Sequence, residues 1–148
     1  SQPSAQLTPG TAPSYGWADQ ATDLTVTTRS DVRNLDSSRL KLSSDAGKLS
    51  AQGYKVVLHK AWTQPDDSSL AVAVHEGQEM GGIYPVQALV SLGQERLLEV
   101  DITAWINNQT QDGEIVSERI KQIRRLRLDE THYLDHQSMG MLVRISRS

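Results

Sequence analysis

The chain has 148 residues, enough for one ordinary domain and few for two. Fifteen basic and eighteen acidic residues leave a net charge of −3, which argues against nucleic acid or an anionic membrane as the principal ligand. With no cysteine there can be no disulfide, thiolate zinc site or cysteine nucleophile, and no apolar run approaches the roughly 20 residues of a membrane-spanning helix.

Residues 1–23 contain three prolines and no apolar periodicity, and are expected to form a disordered or extended leader ahead of a single domain over 24–148. Leu24 to Thr28 suits a short edge strand, with Asp31, Asn34 and Asp36 as turn or cap residues. Leu40, Leu42, Ala46, Leu49 and Ala51 follow helical spacing. With Asp36 or Ser37 as N-cap and Gly53 as stop, they predict one helix, weakened by about 1 kcal/mol at Gly47.

From Tyr54 the period becomes two. Strands are expected over Tyr54 to Trp62, ended by Gln64 and Pro65, and over Leu70 to His75. Ile83 to Leu92 is a third, and Gly93-Gln94 is the expected two-residue hairpin turn. Between Glu95 and Asn107, Leu98, Val100, Ile102, Ala104 and Ile106 share one face, while Glu99, Asp101, Thr103 and Trp105 share the other. Ile115 to Leu128 is expected as a long strand in preference to a helix, because its antiparallel neighbours alternate, and Gly140 to Ser146 as the last strand. The fold class is therefore α+β or mainly β: an antiparallel sheet of about six strands, barrel- or sandwich-like, with one helix.

As a strand, Ile115 to Leu128 places Arg119, Lys121, Arg125 and Arg127 in a basic row about 25 Å long. Guanidinium groups bind carboxylates in bidentate fashion; equally, Glu99, Asp101, Glu114 or Glu118 can neutralise the row across the sheet. Trp62, Trp105, Tyr84 and Tyr133 can stack on sugar rings or fill the core of a chain without Phe. Trp62 shares a face with Val56 and Leu58 and belongs to the core, whereas Trp105 lies opposite the apolar face of its strand. His132, Asp135 and His136 could ligate zinc, but as neighbours they better suit a turn in which Asp135 caps amides and the imidazoles bond to backbone. No Gly-x-Ser-x-Gly elbow, phosphate loop or His-Glu-x-x-His string is present. Ser138 beside His136 and Asp135 is a triad by composition only.

The closing stretch pairs Arg124 with Arg125, then runs through Glu130, His132-Tyr-Leu-Asp-His136, Gly140 and the apolar Met141 to Ile145. It resembles the C-terminal signature of the CsiV family of periplasmic peptidoglycan-binding proteins. Leu58-His59-Lys60-Ala61-Trp62-Thr63-Gln64-Pro65 is similar to that family's strand ending in Ala-Trp-x-Gln-Pro. The likeness extends with gaps from about Leu40 to Ile145. It departs at Gln137, where the family usually has Pro, at Met139, where it usually has an aromatic, and at Arg96-Leu97-Leu98-Glu99, where it commonly reads Arg-Tyr-Leu-His.

The resemblance implies a non-enzymatic, Gram-negative periplasmic protein that binds peptidoglycan and supports cell-wall biogenesis, without a cofactor or a metal. Its expected contact residues are Arg119, Lys121, Arg125, Arg127, Trp105, Tyr133, His132, His136 and Asp135. Two other readings differ in kind. One is a scaffold docking a peptidoglycan synthase or its lipoprotein activator; the other is a metal hydrolase built on the two histidines and Asp135.

Overall fold

The computed structural model describes residues 5–8, 21–24, 29–35, 60–94, 97–135 and 140–146. Ten strands form among them: β1 (Ala5–Thr8), β2 (Thr22–Asp23), β3 (Arg33–Leu35), β4 (Ala61–Thr63), β5 (Val72–Glu76), β6 (Val86–Gln94), β7 (Leu98–Gln109), β8 (Ile115–Leu126), β9 (Thr131–Asp135) and β10 (Gly140–Arg144). Six make one sheet in the order β1-β8-β7-β6-β5-β2. All its pairings are antiparallel except the short one between β2 and β5. The sheet has β1 and β2 as its edges and so forms no closed barrel among the described residues. Two small antiparallel pairs, β9 with β10 and β3 with β4, stand apart from it.

No helix occurs among the described residues, and the segment expected to form one, Asp36 to Gly53, lies outside them, as do 54–59 of the strand expected before Trp62. Of the edge strand expected at Leu24 to Thr28, residues 25–28 lie outside the described residues; a short edge strand stands just before it at Thr22–Asp23, inside the stretch expected as leader. There the Thr22 and Leu24 amides donate to the Ala71 and Ala73 carbonyls. Asn34, expected in a turn, lies in β3 opposite Trp62.

The hairpin between β6 and β7 corrects the expected turn. Gly93 and Gln94 are strand residues paired with Glu99 and Leu98, so the connection falls over 95–97. A β-carbon at Gly93 would lie 3.0 Å from Cβ of Ser68, so a larger residue there would require Ser68 to give way by a few tenths of an ångström. Strand β6 also starts later than Ile83. Ile83 and Met80 exchange backbone bonds around Gly81 and Gly82, both at positive φ, and Pro85 has no N–H to give a ladder. The expected strand at Ile115 to Leu128 is present as β8 and ends at Leu126. Its unbroken register with β7, from Leu98 opposite Leu126 to Gln109 opposite Ile115, rules out the helical alternative.

Directly paired residues point to the same face, so the register sorts the sheet into two. The inner face carries Val72, Val74, Ala88, Val90, Val100, Ile102, Ala104 and Leu126, which form one apolar cluster with Leu24, Val32, Leu70 and Leu134. Trp62, Val143 and Ile145 pack against that cluster, which places the β9–β10 hairpin and β4 over the inner face. The other, outer face carries Glu99 and Asp101 of β7 and Arg119, Lys121 and Arg125 of β8.

Candidate functional site

On the outer face, β8 presents Arg119, Lys121, Ile123 and Arg125, and β7 sets Trp105, Thr103, Asp101 and Glu99 directly opposite them. The three bases do share a face, as strand geometry requires. They span about 20 Å from Arg119 to Arg125 at the usual rise per residue. Arg125 is exposed, whereas Arg119, Lys121 and Trp105 are half-buried. Arg127 follows the end of β8 and is exposed. Arg124 points to the inner side opposite Val100, and its Nη1 donates to the Ile123 carbonyl at 2.9 Å.

Neutralisation across the strands is partial. Lys121 Nζ lies 3.3 Å from Asp101 Oδ1. Glu99 faces Arg125 in the register but forms no ion pair with it. Among the described residues no carboxylate pairs with Arg119 or Arg127 either. Arg119 is flanked by Trp105 on β7 and Gln6 on β1.

A transverse row runs from Arg119 through Trp105 and Gln87 to His75, each directly opposite the next on adjacent strands. His75 stacks on Tyr84, with ring centroids 3.8 Å apart and planes 19° from parallel. Burial, more than the charge of Lys60, holds the His75 imidazole below its usual value. Burial and Glu79 push the Tyr84 phenol up.

Gln87 is fully buried, and its Oε1 accepts from the Tyr84 amide (3.0 Å) and from Asn107 Nδ2 (3.1 Å). Asn107 Nδ2 also donates to the Tyr84 carbonyl, and its Oδ1 accepts from Ser117 Oγ, both at 2.6 Å. This polar knot pins the loop before β6 onto the ends of β7 and β8. Beyond it, an open groove of about 680 Å³ is lined by Glu79, Met80, Ile83, Pro85, Gln109 and Ile115 among others. None of the contact residues expected from the sequence lines it.

The C-terminal corner is built differently. Asp129 adopts φ 62°, a left-handed conformation that Asp tolerates better than most residues. Its amide donates to the Ile145 carbonyl at 2.8 Å. His132 Nε2 accepts the Arg127 amide at 3.2 Å and lies 3.8 Å from Glu130, so its lone pair serves the turn. Leu134 enters the core, while Tyr133 points away and is 54% exposed. Asp135 closes β9 opposite Gly140. His136 and Ser138 lie outside the described residues. Among the described residues no three His, Cys, Asp or Glu side chains converge as a metal-ligand set.

The upstream motif is structural as well. Trp62 packs on the core, as its shared face with Val56 and Leu58 led one to expect. Its Nε1 donates to Gln64 Oε1 at 2.6 Å, and Gln64 Nε2 donates to the Val90 carbonyl at 3.1 Å. The outer face thus brings together Trp105, Arg119, Lys121 and Arg125, while His132 and Tyr133 belong to a separate hairpin. His75 and Gln87 were missed because only strand register places them in line with Trp105, and Asn107 because its partners Tyr84, Gln87 and Ser117 are distant in sequence.

The family model described as "Peptidoglycan-binding protein, CsiV" matches residues 6–148, nearly the whole chain, and the chain belongs to that family. No curated protein matches it, and no solved structure does. No helix among the described residues is long and apolar enough to cross a membrane.

Proposed function

We propose that this member of a peptidoglycan-binding family acts as a binding protein, not an enzyme, and contacts the wall through the outer face of its six-stranded sheet. It works in the periplasm in support of wall biogenesis. The observation that carries this reading is the juxtaposition of Trp105 with Arg119, Lys121 and Arg125 on one face. Peptide stems of the wall offer carboxylates to guanidinium groups, and its sugars offer apolar ring faces to a half-exposed indole. Co-sedimentation with purified sacculi tests it. Binding should weaken as salt rises, since the bases lie near solvent, and should fall in Trp105→Ala. Failure of the wild-type protein to sediment at low salt would overturn it.

One observation favours a second role for the Arg125 end. Leu97 and Ile123 are exposed there, at 54% and 37%, beside a base already faced by Glu99. An apolar, charge-balanced patch of this kind suits a protein partner, such as a peptidoglycan synthase or its lipoprotein activator. Retained sacculus binding in Arg125→Glu with Arg127→Glu, together with loss of such a partner, supports the docking role. Loss of sacculus binding in the same variant contradicts it.

A further inference from the structure

Resting on the reading above, we infer that the outer face recognises one compact element of the wall. That element is an N-acetylated sugar ring bearing an acidic peptide, bound chiefly by Trp105 and Arg119 acting as a pair, with Lys121 and Arg125 contributing less.

The three bases are not equivalent. Lys121 is bonded to Asp101, and Arg125 faces Glu99. Arg119 alone has no acidic residue in either the facing or the diagonal positions of its neighbouring strands: these are Trp105, Thr103 and Asn107 on β7, and Gln6 and Thr8 on β1. An anion approaching Lys121 or Arg125 displaces or meets a carboxylate, whereas at Arg119 it meets only the guanidinium. The favourable contacts of a charge-assisted, bidentate bond are therefore concentrated at one residue.

Arg119 is also the only base of the three opposite an aromatic side chain. Adjacent strands lie about 5 Å apart, so the indole and the guanidinium together cover a ligand the size of one sugar ring with a carboxylate close to it. The row continues away from Arg119 as Gln87 and the His75–Tyr84 stack, which are neutral polar and aromatic groups. Gln87 is fully buried and offers a ligand no contact, so the direction is set by the half-exposed pair alone: the sugar ring over Trp105 on β7, the acid over Arg119 on β8. A free peptide engages only the Arg119 end, and a bare glycan only the Trp105 end.

Calorimetric titration with three probes tests the pairing: a soluble disaccharide-peptide released from sacculi, the same peptide without sugar, and glycan chains stripped of peptide. The disaccharide-peptide should bind the wild-type protein about tenfold or more tightly than either fragment. Arg119→Gln should lower that affinity by about tenfold, one charge-assisted contact's worth, and leave the stripped glycan unaffected. Arg125→Gln should lower it by clearly less than Arg119→Gln does, because Glu99 already faces Arg125. Trp105→Ala should weaken both sugar-containing probes, and Trp105→Tyr, which keeps a ring with less disturbance of packing, should restore most of the loss.

Equal losses in Arg119→Gln and Arg125→Gln, or none in Arg119→Gln, would overturn the inference while leaving the broader reading intact, provided the wild-type protein still sediments with sacculi. If the wild-type protein binds no sacculi, both fall together.

Discussion

The C-terminal corner and the outer face of the sheet divide the chemistry between them. The corner holds the most recognisable string, His132-Tyr-Leu-Asp-His136, yet the contacts seen there fix the chain: Asp129 to Ile145, His132 to the Arg127 amide, Leu134 in the core. The outer face carries no contiguous motif, yet it gathers an indole, a guanidinium and neutral polar groups from four strands. The contiguous string thus includes residues that hold the hairpin in place, whereas the groups suited to a ligand are assembled by register.

If that division is right, damage to the corner should appear in stability, and damage to the outer face in binding. Leu134→Ala should cost about 3 kcal/mol, by loss of burial and the cavity left behind. It should be read from urea midpoints, with sacculus binding per folded molecule unchanged. A binding defect exceeding the unfolded fraction would break the comparison.

Asn107→Ala sharpens it from the other side, since this residue sits on the outer face but serves structure. Loss of its bonds to Tyr84, Gln87 and Ser117 should cost about 2 kcal/mol and raise amide exchange at Tyr84 and Gln87. His132→Ala should cost less, about 1 kcal/mol, because the Arg127 amide it serves lies in an exposed turn. A thermal melt at pH 8 measures it.

The smallest effect is one of pH. His75 titrates below the usual 6.5 because of burial, so the unfolded chain takes up its proton first as pH falls. Its contribution to stability is complete above about 6.5 and declines as pH drops through that value toward the folded one. Denaturation midpoints between pH 8 and 5 should show a shallow decline that His75→Asn flattens.

Much of the sheet was legible in the sequence because β7 alternates so regularly: Leu98, Val100, Ile102 and Ala104 are buried, with Glu99 exposed between the first two. That alternation also decided the case of β8, whose own spacing suits a helix almost equally well. Boundaries failed where a local rule competed with the pattern. Gly93 resembles a turn residue but stands within β6, close against Ser68. Ile83 resembles a strand residue but closes a tight turn before Pro85. Three members of the basic row were legible from period two alone, while the fourth, Arg127, lies past the end of β8. The inequality of the row's members was not legible, since it depends on which β7 residue stands opposite each base. Gln87 and Asn107 gave no signal, because a buried amide looks like any surface amide until its partners are known.

Strand β8 has a further consequence for the molecule's solution behaviour. β1 covers it only along Ser117 to Ile120, and from Lys121 to Leu126 its far side has no partner strand among the described residues. An uncovered backbone ladder invites a second molecule to add on, and closely spaced charges are a common protection against such growth. Lys121, Arg124 and Arg125 lie along that uncovered length. Two of these, Lys121 and Arg125, also face the ligand side, so variants that neutralise them should be checked for fibre or dimer formation before any lost affinity is assigned to the wall.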